Sequence, residues 1–140
     1  MTPIKIDHLA VVVNDMDAAL GFWETALGLT LEAREYNEQE AVDIAFLPVG
    51  ESRVELLKPT SEDSGIAKYL AKRGAGMHHL CLAVLDIEAA MRQIVEAGVE
   101  LINETPRMRE DGTRYAFVHP KSTGGVMVEL YEYSKVESEK

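Results

Sequence analysis

Four residues of this chain have types and spacing that suit metal chemistry: His8, Glu55, His79 and Glu129. When the chain is laid on itself with a shift of 71 positions, His8-Leu9 falls on His79-Leu80. With three further residues inserted in the second copy, Val54-Glu55-Leu56 falls on Val128-Glu129-Leu130. Strand side chains alternate between faces, so where Val and Leu face a core each Glu points the other way. His8 likewise shares a face with Ile6, Ala10 and Val12, and His79 with Met77, Cys81 and Ala83. Taken singly, a His or Glu at a strand position is usually a rim residue. Taken together, two His and two Glu repeating in register form a set that can converge if two such sheets curve together. Imidazole suits Zn, Co, Ni or Fe, and carboxylates extend the range to Mn and Mg. Four such ligands on an octahedral ion leave two positions for substrate oxygens.

The elements that must hold these residues repeat as well. Each copy opens on an apolar strand, residues 4–13 and 77–84, rich in Val, Ile and Leu. Asn14 or Asp15 caps the helix that follows in copy one, and Asp86 caps its counterpart. Ala19, Phe22, Trp23, Ala26 and Leu27 recur at helical spacing, as do Ile87, Ala90, Met91, Ile94 and Val95. Phe22 and Trp23 read as helix-to-sheet core. Gly28 and Gly98 stand where left-handed helix terminators belong. Strands are expected over 30–36, 41–48 and 52–57, then over 99–104, 114–119 and 125–131. The expectation is α+β: paired βαβββ modules forming a curved mixed sheet around a metal site. Module one spans about 4–57 and module two about 77–132 of a single domain, 1–140. The linker 58–76 holds a helix over 65–72 closed by Gly74, and the polar tail 134–140 is expected to fray.

Composition narrows the function classes. The chain has 140 residues, 46% of them hydrophobic, enough for one domain with a core. Its 14 basic and 24 acidic side chains leave a net charge of -10, which argues against nonspecific nucleic-acid binding. No apolar run approaches the ~18 residues of a membrane span. No signal peptide is visible, and the single Cys81 excludes an intrachain disulfide, so a reducing, cytoplasmic setting is expected. Cys81 itself reads as small apolar filler.

Several stretches carry a resemblance: Asp7-His8-Leu9-Ala10-Val11, Ala45-Phe46-Leu47-Pro48-Val49-Gly50, Val54-Glu55-Leu56-Leu57, Gly76-Met77-His78-His79-Leu80 and Phe117-Val118-His119-Pro120-Lys121-Ser122-Thr123-Gly124-Gly125-Val126. Together they make the chain resemble the vicinal oxygen chelate, or glyoxalase-like, superfamily, and within it the methylmalonyl-CoA epimerases. The resemblance runs from Ile6 to about Glu132, and the His-Pro-Lys-Ser-Thr-Gly-Gly run is its most family-specific part.

By position, the resemblance implies metal ligands His8, Glu55, His79 and Glu129, on a divalent ion (Co, Mn, Mg, Ni or Zn, with Co favoured). Some relatives carry Gln where this chain has Glu55; the added charge should favour metal and slightly disfavour an anionic substrate. The implied reaction inverts the α carbon of a methylmalonyl thioester of CoA. Proton removal creates an enolate whose charge a Lewis acid stabilises, and inversion needs acid-base groups on both faces. Glu129 is implied as one of them. Asp43 stands where some epimerases carry a Glu base, and it alternates away from Val42 and Ile44; plain solvent exposure gives the same pattern, and Glu40 is a further candidate nearby. Lys121 and Ser122, in the family-specific loop, are expected to bind substrate and could meet its carboxylate. Arg107, Arg109 and Arg114 could receive CoA phosphates, but read more simply as a solvated hairpin. His78 should face away from the site. A homodimer is implied, with each site built inside one subunit.

Two other classes compete. A glyoxalase I-type lactoylglutathione lyase can use the same two-His, two-Glu set, while a ring-cleaving dioxygenase, with one carboxylate, leaves Glu55 unexplained. A non-catalytic small-molecule-binding module of the same fold typically lacks the ligands that are all present here.

Overall fold

The computed structural model describes residues 2–133; the tail expected to fray, 134–140, lies outside them. Two compact units divide the chain. The first is His8–His78, and the second joins the chain through Asp7 to the chain from His79 onward. The stretch 58–76 therefore belongs to the first unit.

Strand β1 (Lys5–Val12) is divided after its third residue, Asp7; from His8 on it belongs to the first unit. Asp15 then starts α1 (Met16–Leu20), its side chain accepting from the Ala18 amide at 3.1 Å. The helix continues as a π-helical segment over Gly21–Ala26, in which the Leu27 amide bonds the Phe22 carbonyl, five residues back. Gly28 follows at φ 89°, the left-handed conformation that suits glycine. Strands β2 (Ala33–Asn37), β3 (Val42–Val49) and β4 (Ser52–Pro59) complete the sheet in the order β2-β3-β4-β1. β1 and β4 run parallel and the other neighbours antiparallel. Met16 and Leu20 pack with Ala45, Leu47, Val54 and Leu56, which puts α1 on one face. α2 (Gly65–Arg73), capped by Ser64 and closed by Gly74 at φ 79°, brings Ile66 against Ala10, Val42 and Leu57 on the other.

The second unit repeats the plan. β5 (Gly76–Ala83) enters it at His79, and its last residue also receives the Ile4 amide at 2.8 Å. Asp86 caps α3 (Ile87–Glu96) through the Ala89 amide at 3.1 Å, the same bond 71 residues on from the first cap. Ile87, Ala90 and Met91 pack against Val84, Ala116 and Leu130. β6 (Arg107–Met108), β7 (Arg114–Val118) and β8 (Met127–Glu132) give the order β5-β8-β7-β6, with β5 and β8 parallel. The class is α+β with two βαβββ units, as the repeat predicted.

Two expectations need correction. No strand forms over 99–104: Leu101 makes one isolated bridge to Val118, and the chain then bends. Buried Asn103 explains the break, because its side chain accepts from the Phe117 amide and donates to the Thr105 carbonyl, both at 2.8 Å, in place of a backbone ladder. Phe22 is not core. The helix turns it outward, 54% exposed, while Trp23 packs against the α1 core.

Candidate metal centre

In the first unit, the strand register gathers one His and one Glu. Ala10 pairs with Glu55 and Glu55 with Phe46, so His8, Ala10, Glu55 and Phe46 share a face. That face is the one α1 leaves uncovered, since α1 packs on Val54 and Leu56. His8 Nδ1 lies 3.3 Å from Glu55 Oε2, and both side chains are buried. Arg53, two residues before Glu55 and on the same face, donates from Nε to Glu55 Oε2 at 2.7 Å. Its guanidinium also lies over the Phe46 ring, 5.7 Å from the centroid.

The second unit repeats the pair. Cys81 and Phe117 both register with Glu129, so His79, Cys81, Glu129 and Phe117 share a face. His79 Nε2 lies 3.1 Å from Glu129 Oε1. Arg109 Nη2 donates to Glu129 Oε2 at 3.3 Å, and its guanidinium stacks 3.9 Å from the Tyr115 ring centroid. The edge of His79 meets Phe117 at 5.9 Å between centroids. Burial opposes the charge on Arg109, but the attraction and hydrogen bond of Glu129, helped by Tyr131 and Tyr115, outweigh it and raise its pKa above the usual value.

Carboxylates this buried need compensating charge or a metal. Glu129 is 1% exposed and Glu55 7%. Each has a neighbouring imidazole and an arginine, and imidazole with carboxylate is a donor set of borderline hardness. His79 and Glu129 are near enough to ligate one ion. The residues fit a divalent cation.

The remaining expected site residues fall elsewhere. Asp43 registers with Lys58, and its face is that of Ala45, Leu47, Val54 and Leu56, the α1 side. The face of β3 that Glu55 shares carries Ile44 and Phe46 instead, so the register puts Asp43 on the side of the sheet opposite Glu55. Asp43 does alternate away from Val42 and Ile44, but those two residues lie on the face that Glu55 shares, under α2. Glu40 is exposed in the β2–β3 turn. Lys121 and Ser122 sit in a 3-10 turn, Pro120–Ser122. There Lys121 pairs with Glu100 at 2.5 Å, and Ser122 lines a hollow with Val118, Val128 and Leu130, on the α3 side of the sheet. Ser122 thus lies on the side of the sheet opposite Glu129. His78 turns away from His79 and meets Tyr69 edge-on at 4.6 Å.

The sequence reading does not single out Arg53, and it takes Arg109 for part of a solvated hairpin, yet these are the two arginines on Glu55 and Glu129. Arg53 carried a signal, because two residues before Glu55 means the same face. Arg109 carried none beyond its charge, since only the hairpin turn aims it at Glu129.

Residues 7–117 match the Glyoxalase/Bleomycin resistance protein/Dioxygenase superfamily. The chain belongs to that superfamily. It is 34% identical to the ethylmalonyl-CoA/methylmalonyl-CoA epimerase of Cereibacter sphaeroides, over 90% of this chain and 96% of that one. Among solved structures it is similar to a hypothetical protein of Bacillus halodurans, with TM-score 0.87 and 40% identity over 94% of this chain and 95% of that one. It is also similar to Streptomyces coelicolor methylmalonyl-CoA epimerase in complex with 2-nitronate-propionyl-CoA, with TM-score 0.84 and 34% identity over 96% and 97%. No helix among the described residues is long and apolar enough to cross a membrane.

Proposed function

We propose that the protein is a metal-dependent epimerase that interconverts the two epimers of methylmalonyl-CoA. The observation that carries this reading is the repeated buried pair, His8 with Glu55 and His79 with Glu129, in a chain similar to epimerases over nearly its whole length. On this reading the four side chains hold one divalent ion, with cobalt the first to test. Such an ion would supply positive charge against the negative charge that develops on the thioester oxygen when the α proton leaves. Glu129 takes or returns that proton. Its partner on the other face of the planar intermediate is not Asp43, whose side of β3 is the α1 side. On this reading Lys121, exposed and paired with Glu100, would meet a distal part of CoA and not the reacting carbon. The assembly is proposed to be a homodimer, which sedimentation would check.

The deciding experiment follows methylmalonyl-CoA by NMR in deuterated water with cobalt-loaded protein. Deuterium uptake at the α carbon and appearance of the second epimer are expected. A protein that exchanges nothing but converts the glutathione hemithioacetal of methylglyoxal would replace this reading with a lactoylglutathione lyase.

A further inference from the structure

The arginines of the second unit divide into two kinds. Arg114 spends its donors on structure: Nε and Nη2 bind Glu132 at 3.0 to 3.2 Å, and Nη1 binds Glu88 at 3.1 Å. Arg109 does not. Among the described residues its guanidinium has one acceptor, Glu129 Oε2, at the long distance of 3.3 Å. A guanidinium has five N–H donors, so most of this one's capacity is unspent. The side chain is 41% exposed, although one edge reaches a carboxylate that is almost fully buried.

The group is also held in place. Its hairpin closes through the Arg109 amide on the Thr113 carbonyl at 2.9 Å and the Gly112 amide on the Arg109 carbonyl at 3.0 Å, with Gly112 at φ 89°. Asp111 locks the turn by accepting from the Thr113 amide at 3.0 Å and hydroxyl at 2.6 Å, and Thr113 is fully buried. Tyr115 stacks beneath the guanidinium and Tyr131 flanks it at 5.5 Å. Stacking holds the plane of an arginine while leaving its N–H edge available to a planar anion. An arginine that merely neutralised Glu129 would need no such platform.

Charge points the same way. If Glu129 carries a divalent ion, its one carboxylate is shared between two cations, and a further anion near both would ease their repulsion. The proposed substrate brings one, a free carboxylate on the carbon that loses its proton.

We infer that Arg109 binds the free carboxylate of the substrate and so selects carboxylated acyl thioesters over uncharged ones. This rests on the proposed epimerase reading and adds a specificity residue to it. Glu129 keeps its role on the ion, and Arg109 turns its remaining donors to the substrate.

Equilibrium binding tests it on cobalt-loaded protein. Methylmalonyl-CoA and propionyl-CoA, which lacks the carboxylate, are titrated calorimetrically into the wild type, Arg109→Gln and Arg109→Lys. Arg109→Gln is expected to weaken methylmalonyl-CoA at least about tenfold and to leave propionyl-CoA within about twofold, with Arg109→Lys in between. Cobalt content should stay unchanged. Equal losses for both ligands, or no loss for either, would overturn the inference. So would loss of cobalt from both variants, which would make Arg109 a support for Glu129 alone. A wild type that binds methylmalonyl-CoA without exchanging its α proton would overturn the epimerase reading, while the ratio of the two affinities would still judge Arg109.

Discussion

Asp43 and Glu55 lie on adjacent strands yet face opposite sides of the sheet: Glu55 registers with Phe46, and Asp43 shares the face of Ala45 and Leu56. One carboxylate joins His8 and Arg53, and the other belongs to the side that α1 covers.

Asp43→Asn should therefore leave proton exchange within about twofold of wild type. The check is deuterium uptake from each methylmalonyl-CoA epimer, because an acid-base group usually contributes ~10²–10⁴-fold. A loss of that size from either epimer would return Asp43 to the mechanism.

His79→Ala should abolish both metal retention and epimerisation, since it removes the imidazole 3.1 Å from Glu129. Metal analysis after dialysis gives the first and the NMR assay the second. The stability of the metal-free protein should move less than its metal content does.

Arg53→Met removes a 2.7 Å charge-assisted bond to buried Glu55. The metal-free protein should lose about 1–3 kcal/mol in urea unfolding, the range for hydrogen bonds to a charged group left short of a partner. Saturating cobalt should reduce that loss if the ion takes up the same carboxylate. An equal loss with and without cobalt would argue against Glu55 as a ligand.

The hairpin that carries Arg109 should respond to acid. The Thr113 hydroxyl and amide, both donating to Asp111, hold its carboxyl below the ordinary Asp value. A depressed pKa in the folded state adds stability at pH above the unfolded value, and that stability is lost as pH falls through the folded one. Thr113→Val removes the hydroxyl bond, so the Asp111 titration followed by carboxyl NMR should move up toward the ordinary value. In the wild type, the protection factor of the Arg109 amide, its exchange corrected for the intrinsic pH dependence, should fall only at the acid end, below the ordinary Asp range.

The repeat was legible in the sequence because each of its parts is a local pattern. Asp15 and Asp86 cap helices through their own next turn, Gly28 and Gly98 end turns that need positive φ, and alternation around Glu55 and Glu129 fixes a face relative to flanking Val and Leu. Those signals depend on neighbours a few residues away. The strand expected over 99–104 failed because Asn103, one side chain, satisfied the Phe117 amide that a ladder would have used.

Face assignment in β3 needed the tertiary structure, because both of its faces are lined with apolar residues. Val42 and Ile44 sit under α2 while Ala45 and Leu47 sit under α1, so hydrophobicity alone does not tell which side Glu55 shares, and the register puts Asp43 on the other. Arg109 needed it too, since its bond to Glu129 spans twenty residues and depends on a turn set by Asp111 and Thr113. The sequence by itself determined the two His–Glu pairs and the units that present them, because periodicity and capping act over single turns and strands. Only the tertiary structure decided which charges stand beside those pairs, because cross-strand register and the path of a hairpin are settled between segments distant in the chain.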